Sequence, residues 1–138
     1  MNVAQPFALI VGIVYLAGGV IGFILTGFSG LVTSHGPTIP LFGFEVNIFH
    51  NIVHLVIGGA FIVVSRLSDP AITQGVLIGG GAIYLAAALL GFLEKLPILA
   101  INGSLAPDNF LHLFSGAAAV VFGLLGAQQQ SEAERNQA

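Results

Sequence analysis

Asn51-Ile-Val-His54-Leu-Val-Ile-Gly58 occurs again, near the other end of the chain, as Asn109-Phe-Leu-His112-Leu-Phe-Ser-Gly116. Both copies lie inside strongly apolar runs. At 3.6 residues per turn, the Asn, His and Gly of each copy share one face of a helix. The sequence therefore predicts two similar apolar helices, each with a polar stripe.

The composition of the chain is that of a membrane protein. Of its 138 residues 56% are hydrophobic and only 7% are charged, and the mean hydropathy is +0.99, well outside the range of soluble domains. The absence of cysteine excludes disulfides, iron–sulfur clusters and thiolate metal sites. With a net charge of -3 and no basic cluster, nucleic acid is not an expected partner. The expected surroundings are a lipid bilayer.

Four apolar runs predict four transmembrane helices, at about 7–28, 44–65, 71–93 and 107–127. Each has about the 20 residues that cross a hydrocarbon core as a helix, which pairs every backbone group internally. We interpret the first run as a retained helix, since no basic residue precedes it and it is too long for a signal peptide. The predicted fold class is an all-α, polytopic membrane protein with one domain, 1–127, followed by a disordered polar tail, 128–138.

The few basic residues predict an orientation in the membrane. Arg66 and Arg135 lie on one side of a four-helix arrangement, and Lys95 lies on the other. Positive residues favour the cytoplasmic side. We therefore expect both termini in the cytoplasm and the protein in a bacterial inner membrane.

The repetition extends to the other two helices. Gly12-Ile-Val-Tyr15-Leu-Ala matches Gly81-Ala-Ile-Tyr84-Leu-Ala at an offset of 69, from 81 minus 12, and the histidine motifs match at 58, from 112 minus 54. The chain is thus predicted to be an internal repeat of two helical hairpins. Because each hairpin crosses the membrane twice, a pseudo-two-fold axis along the membrane normal should relate them.

The two polar stripes are expected to meet inside the bundle, because polar side chains within a membrane avoid lipid. His50 on the second helix is replaced by Asp108 on the fourth, and Asn47 by Leu105, so the two stripes are not identical. The candidate ligand-binding or hydrogen-bonding cluster comprises His50, Asn51, His54, Asp108, Asn109 and His112.

Small residues form the complementary faces along which the helices are expected to pack. Glycine lets two helix backbones approach closely, which stabilises helix pairs in a membrane. A cavity or a flat cofactor slot lined by glycine is the alternative use of these faces. The predicted packing positions are Gly12, Gly19, Gly58, Gly81, Gly91 and Gly116.

The histidines allow a structural and a pathway interpretation. In the first, His54 and His112 form a cross-helix cluster in which each imidazole hydrogen-bonds the opposite Asn109 or Asn51. In the second, a protonation-linked pathway or ligand pocket runs through the same side chains.

Two cofactor interpretations use the same side chains. A divalent metal ion would be held by His50, His54, Asp108 and His112, since imidazoles and a carboxylate suit such an ion. Alternatively, His54 and His112 would be the axial ligands of one b-type haem.

The remaining polar residues have simpler explanations. His35 lies in a Gly/Pro/Thr-rich loop and is expected to be solvated. Glu45 and Asp108 stand at predicted helix starts, where a carboxylate interacts well with the helix dipole. No Ser/His/Asp arrangement or phosphate-binding motif indicates an enzyme.

On these motifs, the chain resembles an uncharacterised family of four-helix membrane proteins, common in actinobacteria and classed as a domain of unknown function. The resemblance rests on the paired Asn-x-x-His-Leu-x-x-Gly motifs, on Gly80-Gly81 with Tyr84-Leu85, and on Asp108. It covers nearly all of 7–127. It implies the four-helix architecture and an importance of the histidines, and it implies no activity.

Together these observations predict a non-enzymatic membrane protein, either a binding protein or an accessory subunit, that associates with itself or with other membrane subunits. The alternative is a redox or metal protein in which His54 and His112 are ligands.

Overall fold

A computed structural model describes residues 2–28, 30–39 and 43–137 of the chain. Ser29 and residues 40–42 of the predicted first loop lie outside the described residues, as do Met1 and Ala138 at the ends of the predicted domain and tail. The described chain is helical apart from one two-stranded ribbon and the loops. Its elements are α1 (Ala4–Thr26), β1 (Thr38–Ile39), β2 (Phe44–Glu45), α2 (Ile48–Val64), α3 (Pro70–Phe92), a 3-10 turn (Pro97–Leu99) and α4 (Pro107–Arg135).

Among the described residues, three helices are long and apolar enough to span a membrane, and they indicate a membrane-embedded protein. These are α1 and α3, with 23 residues each, and α4, with 29. Large apolar side chains on the outer surface agree with this: Ile24 is 77% exposed, Phe114 69% and Ile83 65%. A shell of exposed apolar side chains suits contact with lipid better than contact with water.

The second helix is shorter than predicted, with 17 residues. It begins at Ile48, not at 44, because Phe44 and Glu45 pair antiparallel with Ile39 and Thr38. Asn47 sets the start of the helix, since its side-chain oxygen accepts the backbone N–H of His50 at 2.8 Å. Glu45 is therefore part of the ribbon and does not cap the helix.

The fourth helix is longer than predicted and continues through most of the segment expected to be a disordered tail. It ends at Arg135. Side chains four residues apart hydrogen-bond along its exposed end, Gln128 to Glu132 at 3.0 Å and Gln130 to Glu134 at 3.3 Å. Gln74 of α3 also donates to Gln130, at 2.9 Å. The polar residues after 127 end the apolar run, but the helix continues through them to Arg135, so the prediction of a disordered tail is wrong for most of this segment.

The bundle consists of two closely packed hairpins, α1 with α2 and α3 with α4. Gly12 faces Gly58 in the first hairpin, and Gly81 faces Gly116 in the second. A Cβ on Gly58 would lie 2.8 Å from the Gly12 carbonyl, and one on Gly116 would lie 2.9 Å from the Gly81 carbonyl. Only glycine leaves room for backbones this close.

A small apolar core joins the hairpins at the end of the bundle that carries the N-terminus. Phe61 of α2 and Leu77 of α3 are buried there, together with Ala4, Ala8 and Ala119. Phe7 and Phe122 stack beside them with ring centroids 4.2 Å apart. The polar side chains of α2 and α4 lie nearer the opposite end, next to the loops.

Candidate functional site

Three histidines converge inside the bundle. His50 and His54 lie one turn apart on α2, and His112 faces them from α4. One ring nitrogen from each lies within 4.8 Å of the others. The ring centroid of His50 is 4.5 Å from that of His54 and 6.1 Å from that of His112. His50 is 1% exposed and His112 is 2% exposed. The polar stripes of the two helices therefore meet.

Asp108 lies beside this cluster in the first turn of α4. Its Oδ1 is 3.8 Å from Nε2 of His50, and its side chain is 4% exposed. That separation is too long for a direct hydrogen bond. The carboxylate is nevertheless near enough to attract any positive charge that the cluster carries.

The two asparagines do not hydrogen-bond the histidines, so this part of the predicted cluster is wrong. Asn51 donates to the hydroxyl of Thr26 at 3.1 Å. Asn109 donates to the carbonyls of Gly103 and Ser104, also at 3.1 Å each. The Asn51 amide is thus directed toward α1 of its own hairpin, and the Asn109 amide toward the loop that precedes α4.

Glycines of the partner helices explain why the amides take this direction. A Cβ on Gly22 would overlap the side chain of Asn51, and a Cβ on Gly91 would overlap that of Asn109. The missing side chains provide the space that the amides occupy. Gly91 thus leaves space for the side chain of Asn109. Gly19 instead lies against the backbone carbonyl of Asn51, at a close contact between helices.

Several histidine nitrogens consequently lack a hydrogen bond within the described part of the chain. They are Nδ1 and Nε2 of His50, Nε2 of His54 and Nδ1 of His112. Backbone groups of Glu45 and Leu99 lie near the His50 ring, without the geometry of a normal hydrogen bond. Buried polar atoms usually have hydrogen-bond partners, so several unsatisfied histidine nitrogens in one cluster call for a functional explanation.

Two tyrosines enclose the cluster. Tyr15 meets His54 edge-on at 5.1 Å between centroids, Tyr84 lies 5.1 Å from His112, and the two tyrosine rings are 4.9 Å apart. The sequence marked both tyrosines only as part of the repeated pattern. Their helical positions, on the same faces as the packing glycines, were the signal that could have placed them at the site.

Haem ligation does not fit this arrangement. A haem held by His54 and His112 needs a flat slot, wide enough for the porphyrin, between the two imidazoles. The His50 ring and the rings of Tyr15 and Tyr84 pack directly against these imidazoles. The predicted b-type haem is therefore not supported by the geometry.

A cavity of about 480 Å³ lies next to the cluster, between α1 and α4. Its polar lining comes from Tyr15, His54 and Asp108, and the rest of the lining is apolar or glycine. Exposed Val14 and Ile21 on α1 form part of its wall, so it opens on the apolar outer surface. The other lining residues are Ala17, Gly18, Ile39, Phe44, Val46 and Leu111.

A second, smaller cavity of about 70 Å³ lies between Asp108 and the loops. Glu45 and Asn102 line it together with Asp108. Glu45 also contacts two neighbouring side chains. Its Oε2 is 3.4 Å from Nδ1 of His35, and the same oxygen accepts a hydrogen bond from the amide of Asn102 at 3.2 Å. The His35 side chain is 78% exposed. In the sequence, Asn102 belongs to an Asn-Gly pair that indicates only a break between the third and fourth apolar runs, so it was not predicted as a site residue.

A comparison with known families identifies the family of this chain. A family model described as a domain of unknown function, DUF4383, matches residues 5–125. The chain belongs to the DUF4383 family. The resemblance to an uncharacterised family is thereby confirmed, and the match covers α1 apart from Ala4, all of α2 and α3, and most of α4. No curated protein and no solved structure matches the chain.

Proposed function

We propose that this protein is a non-enzymatic, membrane-embedded binding protein for an amphipathic, membrane-soluble molecule. The observation that carries the proposal is the cavity of about 480 Å³ between α1 and α4. Its size lies within the range of small-molecule pockets, which are mostly apolar with a few polar groups that orient the ligand. This cavity has that composition.

The apolar part of the cavity suits a hydrocarbon chain or ring. Val14, at 59% exposed, and Ile21, at 47%, belong both to the cavity wall and to the outer apolar surface. A molecule dissolved in the bilayer would thus enter sideways without crossing water. Burying its apolar body against Leu111 and Val46 would supply contact with close-packed protein.

The polar end favours a head group that donates hydrogen bonds. Ser115 donates its hydroxyl to the carbonyl of Leu111 at 2.6 Å, so Tyr15 is the donor in its 2.6 Å bond with Ser115. The Tyr15 oxygen therefore keeps acceptor capacity. Asp108, when ionised, is acceptor-only. A hydroxyl or amino head group matches these two acceptors better than a carboxylate does.

Photolabelling in lipid nanodiscs tests the proposal. The probe is a long-chain alcohol with a diazirine in its chain, compared with the fatty acid of the same length. We expect the alcohol to label residues 14–21 of α1 or Leu111, and to label them more strongly than the acid does.

A matched pair of variants completes the test. Val14→Trp fills the cavity, whereas Val63→Trp adds the same bulk at a site on α2 that is similarly exposed, 62% against 59%. Val14→Trp should reduce labelling about tenfold, equivalent to about 1.4 kcal/mol of binding energy, and Val63→Trp should leave it unchanged. Equal labelling of the two variants would refute the proposal.

We also infer that the two hairpins are an internal repeat, related by a pseudo-two-fold axis along the membrane normal. Equivalent contacts support this: Gly12 with Gly58 resembles Gly81 with Gly116. In both hairpins, moreover, an Asn side chain packs against a glycine of the partner helix: Asn51 against Gly22, and Asn109 against Gly91.

The proposed environment is a bacterial inner membrane with both termini in the cytoplasm, supported by Arg66 and Arg135 on one side against Lys95 on the other. Because the chain has no cysteine, single cysteines at Ser104 and Ser131 can report sidedness. A membrane-impermeant maleimide added to whole cells should label the first and spare the second. Labelling of position 131 alone would reverse the orientation.

The same apolar outer surface would serve contacts with other membrane subunits or with a second copy of the chain, as an accessory subunit requires. Crosslinking in native membranes, followed by mass measurement, distinguishes a monomer from either assembly.

A further inference from the structure

We propose that His50, His54 and His112 form a binding site for one divalent transition-metal ion, with Zn²⁺ the best-suited ion. The proposal goes beyond the lipid-facing cavity and does not depend on it. Its basis is the convergence of one ring nitrogen from each histidine within 4.8 Å of the others.

The unsatisfied ring nitrogens are the second observation. His50, at 1% exposed, has neither ring nitrogen in a normal hydrogen bond among the described residues, and His54 and His112 each have one nitrogen in the same condition. An unpaired buried polar atom is costly. A metal ion accepts the lone pair of a neutral imidazole and so would remove that cost at one nitrogen of each ring.

The cluster needs only a small contraction to bind an ion. With Zn–N bonds of about 2.0–2.1 Å, the nitrogens of a tetrahedral site lie about 3.4 Å apart. Starting from at most 4.8 Å, rotation of the imidazoles about their side-chain bonds closes the difference. Because all three rings are carried by helices, α2 and α4, this closure needs no movement of a loop.

The donor set selects the metal. Three imidazoles suit Zn²⁺ and related ions, whereas Mg²⁺ and Ca²⁺ prefer oxygen ligands and Cu⁺ prefers sulfur. The sequence has no cysteine, and its one methionine is residue 1. Asp108, 3.8 Å from His50 Nε2, would orient that imidazole and offset part of the positive charge, as carboxylates beside metal-bound histidines do.

The smaller cavity provides a route for the ion. It extends between Glu45, whose side chain is 36% exposed, and Asp108, whose side chain is 4% exposed. A cation would thus meet one carboxylate near the loop surface and a second beside His50. This polar route is separate from the apolar opening beside Val14.

Metal titration of the full chain tests the site. The protein is purified in detergent with a histidine-free tag, treated with a chelator, and titrated with ZnCl₂. We expect one bound Zn²⁺ per chain by elemental analysis after gel filtration. Titration with Co²⁺ should give the intense visible absorption of a tetrahedral site, and this readout needs no variant.

Variants then assign the ligands. Ligand loss should exceed the 10- to 100-fold loss of affinity that supporting residues cause, so we expect His50→Ala and His112→Ala each to weaken Zn²⁺ binding by at least about 100-fold. Asp108→Asn should weaken it by about 10- to 100-fold. His35→Ala removes the exposed loop histidine and is the matched control, with unchanged affinity.

Several results would overturn the proposal: wild-type protein that binds no Zn²⁺, a Co²⁺ complex without tetrahedral absorption, or His50→Ala and His112→Ala variants that bind as tightly as His35→Ala. Circular dichroism verifies that each variant is helical, and His112→Gln replaces any variant that fails to fold. The cavity variant Val14→Trp should still bind one Zn²⁺, so the metal site and the lipid-facing cavity succeed or fail separately.

Discussion

The first hairpin (α1 and α2) and the second (α3 and α4) share a packing scheme but differ at the end next to the loops. In both, facing glycines set the helix distance and an Asn amide sits on a glycine. They differ where His50 corresponds to Asp108 and Asn47 to Leu105. The two hairpins thus pack in the same way but have different polar residues at the end next to the loops. The candidate site lies where these polar residues of the two hairpins meet.

The difference at Asn47 extends to the loops. Asn47 is 1% exposed, and its amide donates to the carbonyls of Thr33 and Ile98 at 2.9 Å each. It therefore holds the first loop and the 3-10 turn against the start of α2. Leu105 is 80% exposed, and α4 begins without a side-chain cap.

The largest predicted effect tests this difference. Asn47→Ala removes the helix cap and two partly buried hydrogen bonds to loop carbonyls, so it should lower the free energy of unfolding by about 3 kcal/mol. Leu105→Ala should change it by less than about 0.5 kcal/mol. Unfolding by SDS titration in mixed micelles, followed by circular dichroism, measures both. Similar losses would mean that the two helix starts are equivalent.

The next effect compares the helix contacts. A Cβ on Gly58 would lie 2.5 Å from the backbone nitrogen of Leu16, whereas the closest atom to one on Gly116 is at 2.9 Å. Gly58→Ala should therefore cost about 2 kcal/mol and Gly116→Ala about 1 kcal/mol.

Gly59→Ala is the control for these two variants, because a Cβ there would meet no described atom within 4 Å beyond its own stretch of helix. It should be neutral or slightly stabilising, since alanine favours the helix more than glycine does. If Gly58→Ala and Gly59→Ala unfold at the same SDS concentration, the close backbone contact does not set the stability of the first hairpin.

The two asparagines provide a smaller contrast. Asn109 satisfies two loop carbonyls, whereas Asn51 bonds one hydroxyl. Asn109→Ala should cost about 1.5 kcal/mol and Asn51→Ala about 0.8 kcal/mol. Because both changes leave a similar void, their difference in the same SDS titration isolates the additional hydrogen bond. A larger loss for Asn51→Ala would reverse this assignment.

The smallest effect concerns the extension of α4, which has no counterpart in α2. Ending the chain after Ala127 removes the bond from Gln74 to Gln130 and that from the Val3 backbone to Gln129. These bonds are partly or fully exposed, so the loss should be about 0.5 kcal/mol. Zn²⁺ binding should be unaffected. A truncated protein that fails to fold would show that the extension anchors α1 and α3.

The sequence predicted the helices better than their ends. Apolar runs located all four helices, because hydrophobicity is a local property of each segment. The start of α2 was misplaced because Phe44 and Glu45 pair with residues of a preceding loop, a long-range event that periodicity does not encode. The end of α4 was misplaced because Gln and Glu continue a helix as readily as apolar residues do.

Within the site, the sequence predicted that His50, His54 and His112 would share the bundle interior, but it did not predict their partners. The amides of Asn51 and Asn109 are directed toward their own hairpins because Gly22 and Gly91 leave space there. The direction of each amide therefore depends on which residues face each other between two packed helices, and the sequence alone does not reveal this.

By itself, the sequence determined four apolar helices, two polar stripes and membership of the DUF4383 family, because each depends on the order and character of neighbouring residues. Only the tertiary structure decided that the ring nitrogens of three histidines lie within 4.8 Å of one another. It also decided that an apolar cavity opens beside His54. The physical reason is that these distances depend on how the two hairpins pack against each other through the apolar core around Phe61 and Leu77, a long-range contact that no local pattern of residues encodes.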